Sequence, residues 1–194
     1  MRTPQRSRAD EIAMAKETKV VTVFGSGTLP AAAEHYDQAR SLGWSLAERG
    51  FVVCTGGYAG IMQAVSRGAK ESGGRTIGVT AKSFRSRVNQ WIDDEIRVAN
   101  WQDRLFELVK QGDAYVACKG GTGTLVELAV VWEMVKKGTM KTKPIVVFGE
   151  FWNPVIECVG EVDGRDDDGL IHVSSSPFDV AEHISRQLGV AKRR

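Results

Sequence analysis

Short apolar runs alternate along this chain with stretches whose apolar positions recur at helical spacing. Val20–Phe24 is a β-branched run that stops at a glycine loop, and residues 31–49 follow with a helical periodicity that ends at Gly50. The same order returns over Phe51–Glu71 and again after Ala114. Continuous apolar strands that alternate with helices are typical of a parallel sheet covered on both faces. The pattern therefore predicts a doubly wound, Rossmann-like α/β fold.

The later elements follow from the same two periodicities. The predicted strands and helices are Thr76–Thr80, Ile96–Val98, Trp101–Lys110, Leu125–Lys137, Pro144–Phe148 and Phe178–Leu188. Residues 81–95 fit neither period and are predicted to form a lid or a crossover loop, and residues 160–176 a polar connection.

The length and composition favour a single globular domain, since the chain has 194 residues of which 42% are hydrophobic. We expect a flexible arm at residues 1–19, one nucleotide-binding domain over residues 20–190 and a basic tail at 191–194. No apolar run approaches the ~20 residues that cross a bilayer, and the arm lacks the apolar region of a signal peptide. The expectation is a cytoplasmic protein with no membrane partner.

Charge and metal-binding residue types exclude several further classes. The net charge is +2, yet the chain between the two predicted tails holds 18 basic and 21 acidic groups, so no nucleic-acid partner is expected. Cys54, Cys118 and Cys158 share no metal-ligand spacing and lie in or beside apolar runs, which predicts buried thiols and no metal site. The three histidines are isolated in the sequence, and we expect them at the surface.

Three glycine loops follow strands, but two common nucleotide motifs are missing from them. The loop Gly25–Pro30 has proline at the third glycine position of the dinucleotide fingerprint, and Cys54 and Thr55 stand where an acidic residue would hold the ribose. No phosphate-binding sequence of the G-x-x-x-x-G-K-[ST] type occurs. What remains are backbone N–H groups at helix starts, where an anion is favoured. No cofactor is expected.

The loop Gly120–Thr124 with Glu127 is the sharpest of these constellations. Its main chain can curl around a phosphate, and the hydroxyls of Thr122 and Thr124 add hydrogen-bond donors. Thr124 and Glu127 also have the spacing of a capping box, in which the carboxylate returns to the backbone at the helix start. Both roles stay open, and they do not exclude each other.

These loops resemble the LOG family of cytokinin riboside 5′-monophosphate phosphoribohydrolases, which also carries the older label "possible lysine decarboxylase". The family pattern P-G-G-x-G-T-x-x-E is matched by Gly120, Gly121, Gly123, Thr124 and Glu127, and the resemblance covers about residues 20–150. The decarboxylase label fails, because no lysine stands in a recognisable setting for the Schiff base of pyridoxal phosphate.

Other motifs carry the same resemblance. Phe24–Ser26 resembles the family's first loop, Gly56–Met62 its G-G-x-x-G-L-M loop, and Arg104 the arginine of its M-x-x-R-K segment. From residue type alone, the simpler interpretation of Arg104 is a solvated helix face or an ion pair with Asp103 or Glu107. The resemblance implies that substrate is bound by Gly25, Ser26, Gly56, Gly57, Gly60, Met62, Lys119, Gly120, Gly121, Thr122, Gly123 and Thr124.

Three positions depart from the family pattern. Lys119 replaces proline, Leu105 replaces lysine, and Trp101 stands in the methionine position. By default Met62 and Trp101 are expected in the core. The departures predict a base pocket that differs from that of the family.

The resemblance implies hydrolysis of the N-glycosidic bond of a nucleoside 5′-monophosphate, of the AMP or cytokinin-riboside type. Glu127 would stabilise a cationic ribose and activate water, while Arg104, which stays protonated, would orient Glu127 and the substrate. The alternative is a protein that binds a nucleotide or phosphate without hydrolysing it, as the related molybdenum-cofactor carriers do. The family also implies a homodimer paired through the apolar helix Leu125–Met134, although burial against the sheet explains that helix equally.

Overall fold

A computed structural model describes residues 18–28, 30, 34–163 and 169–190. The seven strands of that part are β1 (Val20–Phe24), β2 (Val52–Thr55), β3 (Thr76–Ala81), β4 (Asp94–Val98), β5 (Ala114–Ala117), β6 (Ile145–Phe148) and β7 (Ile171–Ser174). The six helices among these described residues are α1 (Glu34–Glu48), α2 (Ile61–Glu71), α3 (Trp101–Gln111), α4 (Thr122–Lys136), α5 (Asn153–Asp163) and α6 (Pro177–Leu188).

All strands of the sheet are parallel, in the order β4-β3-β2-β1-β5-β6-β7. The chain builds outward from β1 on one side and then restarts at β5 on the other, so the strand order reverses between β1 and β5. In doubly wound sheets, ligands bind outside the carboxyl ends of the strands at this point. The predicted α/β fold is confirmed.

The two faces of the sheet are covered by different helices. Side chains of α1, α2 and α6 pack on one face with Val21, Val23 and Val146 of the strands. Those of α3, α4 and α5 pack on the other face with Phe24 and Tyr115. Strand residues are buried on both sides, which explains why β1, β2, β5 and β6 read as unbroken apolar runs.

Several expectations need correction. Residues 153–163 form α5 and residues 171–174 form β7, where a polar connection was expected to begin at residue 160. Trp101 is 40% exposed instead of lying in the core, because it is the first residue of α3 and faces outward. Cys158 is exposed on α5, whereas Cys54 and Cys118 are buried as predicted.

Most residues of the predicted arm and the whole predicted tail fall outside the part of the chain that the structure describes. Residues 1–17 and 191–194 lie outside the described residues, so both predictions concern mostly positions without a description. Lys19, at the end of the predicted arm, forms an ion pair of 3.1 Å with Asp113. Among the described residues, no helix is both long and apolar enough to span a bilayer.

Candidate functional site

Arg104 lies on α3 beneath the carboxyl ends of β2 and β3 and is only 6% exposed. Its Nε donates to the Val79 carbonyl oxygen at 2.8 Å, and its Nη2 lies 3.8 Å from the Met62 sulfur. The guanidinium also lies 5.4 Å from the centre of the Tyr58 ring and 5.8 Å from that of Phe84. Contacts from several elements therefore fix the orientation of this cation.

Glu127 lies on α4, which packs on the same sheet face as α3, and its side chain pairs with Arg104. Its Oε1 is 3.4 Å from Arg104 Nη1, and the two side chains are 12% and 8% exposed. Burial raises the pKa of Glu127 to about 7, although the charge and hydrogen bond of Arg104 act to lower it. A carboxyl group with this pKa exchanges its proton readily near neutral pH.

The capping-box interpretation of Glu127 is wrong. The helix α4 begins at Thr122 with Gly121 as its N-cap, and no side chain caps it. Thr124 therefore lies inside the first turn, and the hydrogen-bond partner of the Glu127 carboxylate is Arg104. The alternative pairing of Arg104 with Asp103 or Glu107 does not occur either. Asn100, the N-cap of α3, accepts from the Asp103 backbone N–H and donates to the Asp103 carboxylate, and Glu107 pairs with Lys110.

The loop Gly56–Gly60 is filled by the protein itself. A Cβ at residue 56 would collide with the Arg104 guanidinium, and one at residue 60 would collide with the Ser26 carbonyl oxygen. Gly57 and Gly60 have positive φ angles of 73° and 65°. Gly25 is likewise required, because a Cβ there would collide with Ile61. These four glycines, which the family resemblance assigns to substrate, are explained by packing and backbone conformation.

The loop Gly120–Thr124 is different, because part of it faces open space. Gly120 packs against the buried Thr124 side chain, but a Cβ at Gly121 or Gly123 would meet no atom within 4 Å. The helix offers no acceptor to the amide N–H groups of its first turn, which begins at Thr122. The open glycines and the amides at the helix start form an exposed surface suited to an anion.

Ser26 joins the glycine loops to one another. Its backbone N–H donates to the Lys119 carbonyl oxygen at 3.2 Å, and its own carbonyl accepts from the Ile61 N–H at 2.8 Å. Its hydroxyl is engaged with Thr28 at 3.1 Å. The Lys119 ammonium contacts His35 and Phe151. The predicted residues thus come together at one edge, with Lys119 facing away from the Arg104–Glu127 pair.

The sequence did not predict that residues 82–93 contact the Arg104–Glu127 pair. These residues are the crossover between the parallel strands β3 and β4. Asn89 ties the crossover to the loop Gly56–Gly60 by donating to the carbonyls of Gly57 and Tyr58, at 3.1 and 2.9 Å. Phe84 then covers Arg104. The only sequence signal was that these residues fitted no periodic element.

The histidines His172 and His183 and the cysteines Cys54 and Cys118 form no hydrogen bond or ion pair with Arg104 or Glu127 among the described residues. His172 and His183 are not isolated, since their rings stack with centroids 3.9 Å apart. Burial raises the pKa of the Cys54 and Cys118 thiols to about 12, so neither is a nucleophile near neutral pH. The described residues hold no group of three or more His, Cys, Asp or Glu side chains that could bind a metal ion.

Comparisons with solved structures agree with this architecture over nearly the whole chain. The molybdenum cofactor binding protein of Rippkaea orientalis superposes with a TM-score of 0.73 at 27% identity, covering 88% of this chain and 97% of that one. The Moco carrier protein of Chlamydomonas reinhardtii gives a TM-score of 0.73 at 26% identity, covering 89% and 99%.

Sequence comparisons lead to proteins with a named activity. The cytokinin riboside 5′-monophosphate phosphoribohydrolase LOG of Oryza sativa is 33% identical over 132 residues, which are 66% of this chain and 54% of that protein. The Mycobacterium tuberculosis protein with the same enzyme name is 34% identical over 121 residues, 61% of this chain and 64% of that protein. The matches thus span little more than half of these two relatives.

The family itself is shown by a broader match. An uncharacterized protein of Archaeoglobus fulgidus is 30% identical over 129 residues, which are 66% of this chain and 83% of that protein. Residues 18–168, which include all three glycine loops, match the model of the SLOG cluster4 family. The chain belongs to the SLOG cluster4 family.

Proposed function

We propose that this protein hydrolyses the N-glycosidic bond of a nucleoside 5′-monophosphate, of the AMP or cytokinin-riboside type, to free base and ribose 5-phosphate. The observation that carries the proposal is the buried Arg104–Glu127 pair, whose carboxylate lies on α4, the helix that follows β5 next to the strand-order reversal. Buried charges that no packing argument demands are typical of reaction sites. The rice and mycobacterial relatives named as phosphoribohydrolases support the same activity.

The open loop would act as the anchor for the substrate phosphate. The amides of the first turn of α4 and the positive end of its dipole attract the dianion, and the space beside Gly121 and Gly123 admits its oxygens. Binding energy from the phosphate then holds the ribose in place for reaction.

Glu127 would act on the anomeric carbon. As the C–N bond lengthens, its electron pair leaves with the base and positive charge develops on the ribose, which a nearby carboxylate stabilises. Water oxygen bonds to the anomeric carbon and Glu127 accepts the proton that water loses. The departing base nitrogen takes up one proton from solvent, and Glu127 releases its proton to solvent before the next cycle. A pKa of about 7 suits Glu127 to this transfer.

Arg104 would be a positioning residue. It is fixed by Val79, Tyr58 and Phe84 and holds the Glu127 carboxylate at 3.4 Å. A guanidinium stays protonated at any working pH, so it supplies charge and orientation and no proton.

A second candidate is a carrier that binds a phosphorylated ligand without cleaving it. Two observations favour it: the molybdenum-cofactor proteins match almost end to end, and Lys119 adds a cation that the hydrolase motif lacks. A carrier would need the open loop but no turnover at Glu127.

The deciding experiment is incubation with a panel of nucleoside 5′-monophosphates, followed by chromatography for free base. We expect release of base from at least one monophosphate, and a loss of about 10²-fold or more in Glu127→Gln with AMP affinity retained within several-fold. Glu133→Gln, which removes an exposed carboxylate from the same helix, is the matched control. If the unaltered protein releases no base from any monophosphate, the hydrolase proposal is wrong and the carrier takes its place.

A further inference from the structure

A cavity of about 440 Å³ lies at the carboxyl ends of β5 and β6, on the sheet face covered by α1, α2 and α6. Its walls include the apolar side chains of Ala39, Ile61 and Phe148, whereas Arg104 and Glu127 do not line it. Its volume is in the range of sites that hold small organic ligands. We call it the Lys119 cavity.

Lys119 and Glu150 are the charged side chains that line this cavity, and no ion pair between them occurs among the described residues. The Lys119 ammonium is partly buried, lies 2.9 Å from His35 Nε2 and stands 5.5 Å from the centre of the Phe151 ring. Among the described residues no carboxylate comes within ion-pair distance of it, although Glu150 also lines the cavity. An anion placed beside this partly buried ammonium would supply the ion pair that no described carboxylate provides.

The hydrogen-bond pattern leaves donors free for such an anion. An ammonium only donates, so the contact makes His35 Nε2 the acceptor and places the ring proton on Nδ1, which lies 3.4 Å from Gln38 Oε1. One of the three ammonium N–H groups is thereby used. The others are available to a ligand oxygen in the cavity.

We propose that the Lys119 cavity is a second anion site, separate from the Arg104–Glu127 pair, that takes a small aryl or heterocyclic phosphate. The phosphate would contact Lys119, and the planar body would lie against the apolar wall formed by Ile61 and Phe148 beside Phe151. The lysine occupies the position at which the hydrolase motif has proline, so the site is a feature of this chain. The proposal does not depend on whether the protein hydrolyses nucleotides.

The test follows the His35 imidazole by NMR in protein labelled with ¹⁵N at histidine, with its resonance assigned by its loss in His35→Gln. Inorganic phosphate and phenyl phosphate are titrated at constant pH and ionic strength. We expect the His35 resonance to shift saturably with both, with phenyl phosphate binding several-fold more tightly. In Lys119→Met we expect the affinity to fall tenfold or more, with Lys119→Gln as a second variant in case the first does not fold. Lys141→Met, at an exposed lysine, controls for net charge.

A variant in the loop Gly120–Thr124 separates the Lys119 cavity from the proposed phosphate anchor. Gly123→Leu should leave the His35 titration unchanged while it weakens AMP binding, because residue 123 opens away from the protein. The inference is overturned if phosphate does not shift the His35 resonance, if Lys119→Met titrates as the parent does, or if the shift disappears in Gly123→Leu. Equal affinity for the two probes would contradict an aromatic ligand.

Discussion

The loops Gly56–Gly60 and Gly120–Thr124 both follow a strand and precede a helix, yet they use glycine for different reasons. In the first, Arg104 takes the space beside Gly56, Thr80 that beside Gly57 and Ser26 that beside Gly60. In the second, Gly120 alone is confined by the protein, and Gly121 and Gly123 border open space. A glycine-rich sequence at a strand end therefore does not by itself identify a phosphate site. The difference lies in what a Cβ at the glycine would meet. In one loop it would collide with the protein itself, and in the other the space is open to a ligand.

The first way to test this contrast is Gly56→Ala. The added methyl group would displace the Arg104 guanidinium from its buried position and leave Glu127 without its partner. We expect the free energy of unfolding to fall by roughly 3 kcal/mol, as measured by chemical denaturation. Gly160→Ala, in the open on α5, should instead be neutral or stabilising. A Gly56→Ala variant as stable as the parent would show that the first loop is not filled as described.

The second test is Gly123→Leu, for which stability and binding should change in opposite directions. Leucine favours the helix over glycine by up to about 1 kcal/mol, and nothing obstructs its side chain. It would block the open amides, so AMP affinity should fall by about 2 kcal/mol, roughly 30-fold, by calorimetry. In the parent, adenosine should bind far more weakly than AMP. Equal affinities for AMP and adenosine would show that the loop Gly120–Thr124 does not bind the phosphate.

The third test concerns the aromatic cover of the first loop. Phe84→Leu keeps an apolar side chain but removes the ring beside Arg104. We expect turnover of a monophosphate to fall by about fivefold, since a cation–π contact contributes on the order of 1 kcal/mol. Phe106→Leu removes a ring from the exposed face of α3, where it is 56% exposed, and should leave turnover unchanged. The same loss in both variants would mean that Phe84 does not orient Arg104.

The last test concerns pH. The pKa of Glu127 is raised to about 7 in the folded protein from an ordinary value of 4.5. Between these values the folded state holds a proton that the unfolded state has released, so the Glu127 contribution to stability declines as pH rises through this window. Glu127→Gln lacks this dependence, and its melting temperature should gain on the parent between about pH 5 and about pH 8. A constant difference across that range would contradict the raised pKa.

The fold was largely predictable from the sequence because the buried strands are continuous apolar runs. β5 and its helix α4 were found in this way. The helix begins about one turn before the predicted start at Leu125, because Thr122–Thr124 carries no helix signal. The strand β7 was missed, since its four residues are not buried and pair only with β6. An edge strand of this kind shows neither a continuous nor an alternating apolar pattern.

The candidate site was predictable only where a motif carried it. The resemblance suggested Arg104 and Glu127 as site residues, and the fold brings their side chains to 3.4 Å from each other. Tyr58 and Phe84 could not be assigned to Arg104, because their contacts depend on how residues 82–93 cross from β3 to β4. The sequence around Lys119 does not indicate that its side chain points away from the loop Gly120–Thr124. Its contact with His35 depends on how α1 packs on the sheet.

The backbone of Ser26 ties the three loops into one hydrogen-bonded unit through Lys119 and Ile61. The conformational entropy of these segments is therefore given up when the chain folds, before any ligand arrives. A ligand that docks on such a preorganised surface does not have to order it, so association is limited by diffusion and charge and not by loop closure. In hydrogen-exchange experiments the amides of Ser26 and Ile61 should accordingly open with the sheet, as part of the rigid body of the domain.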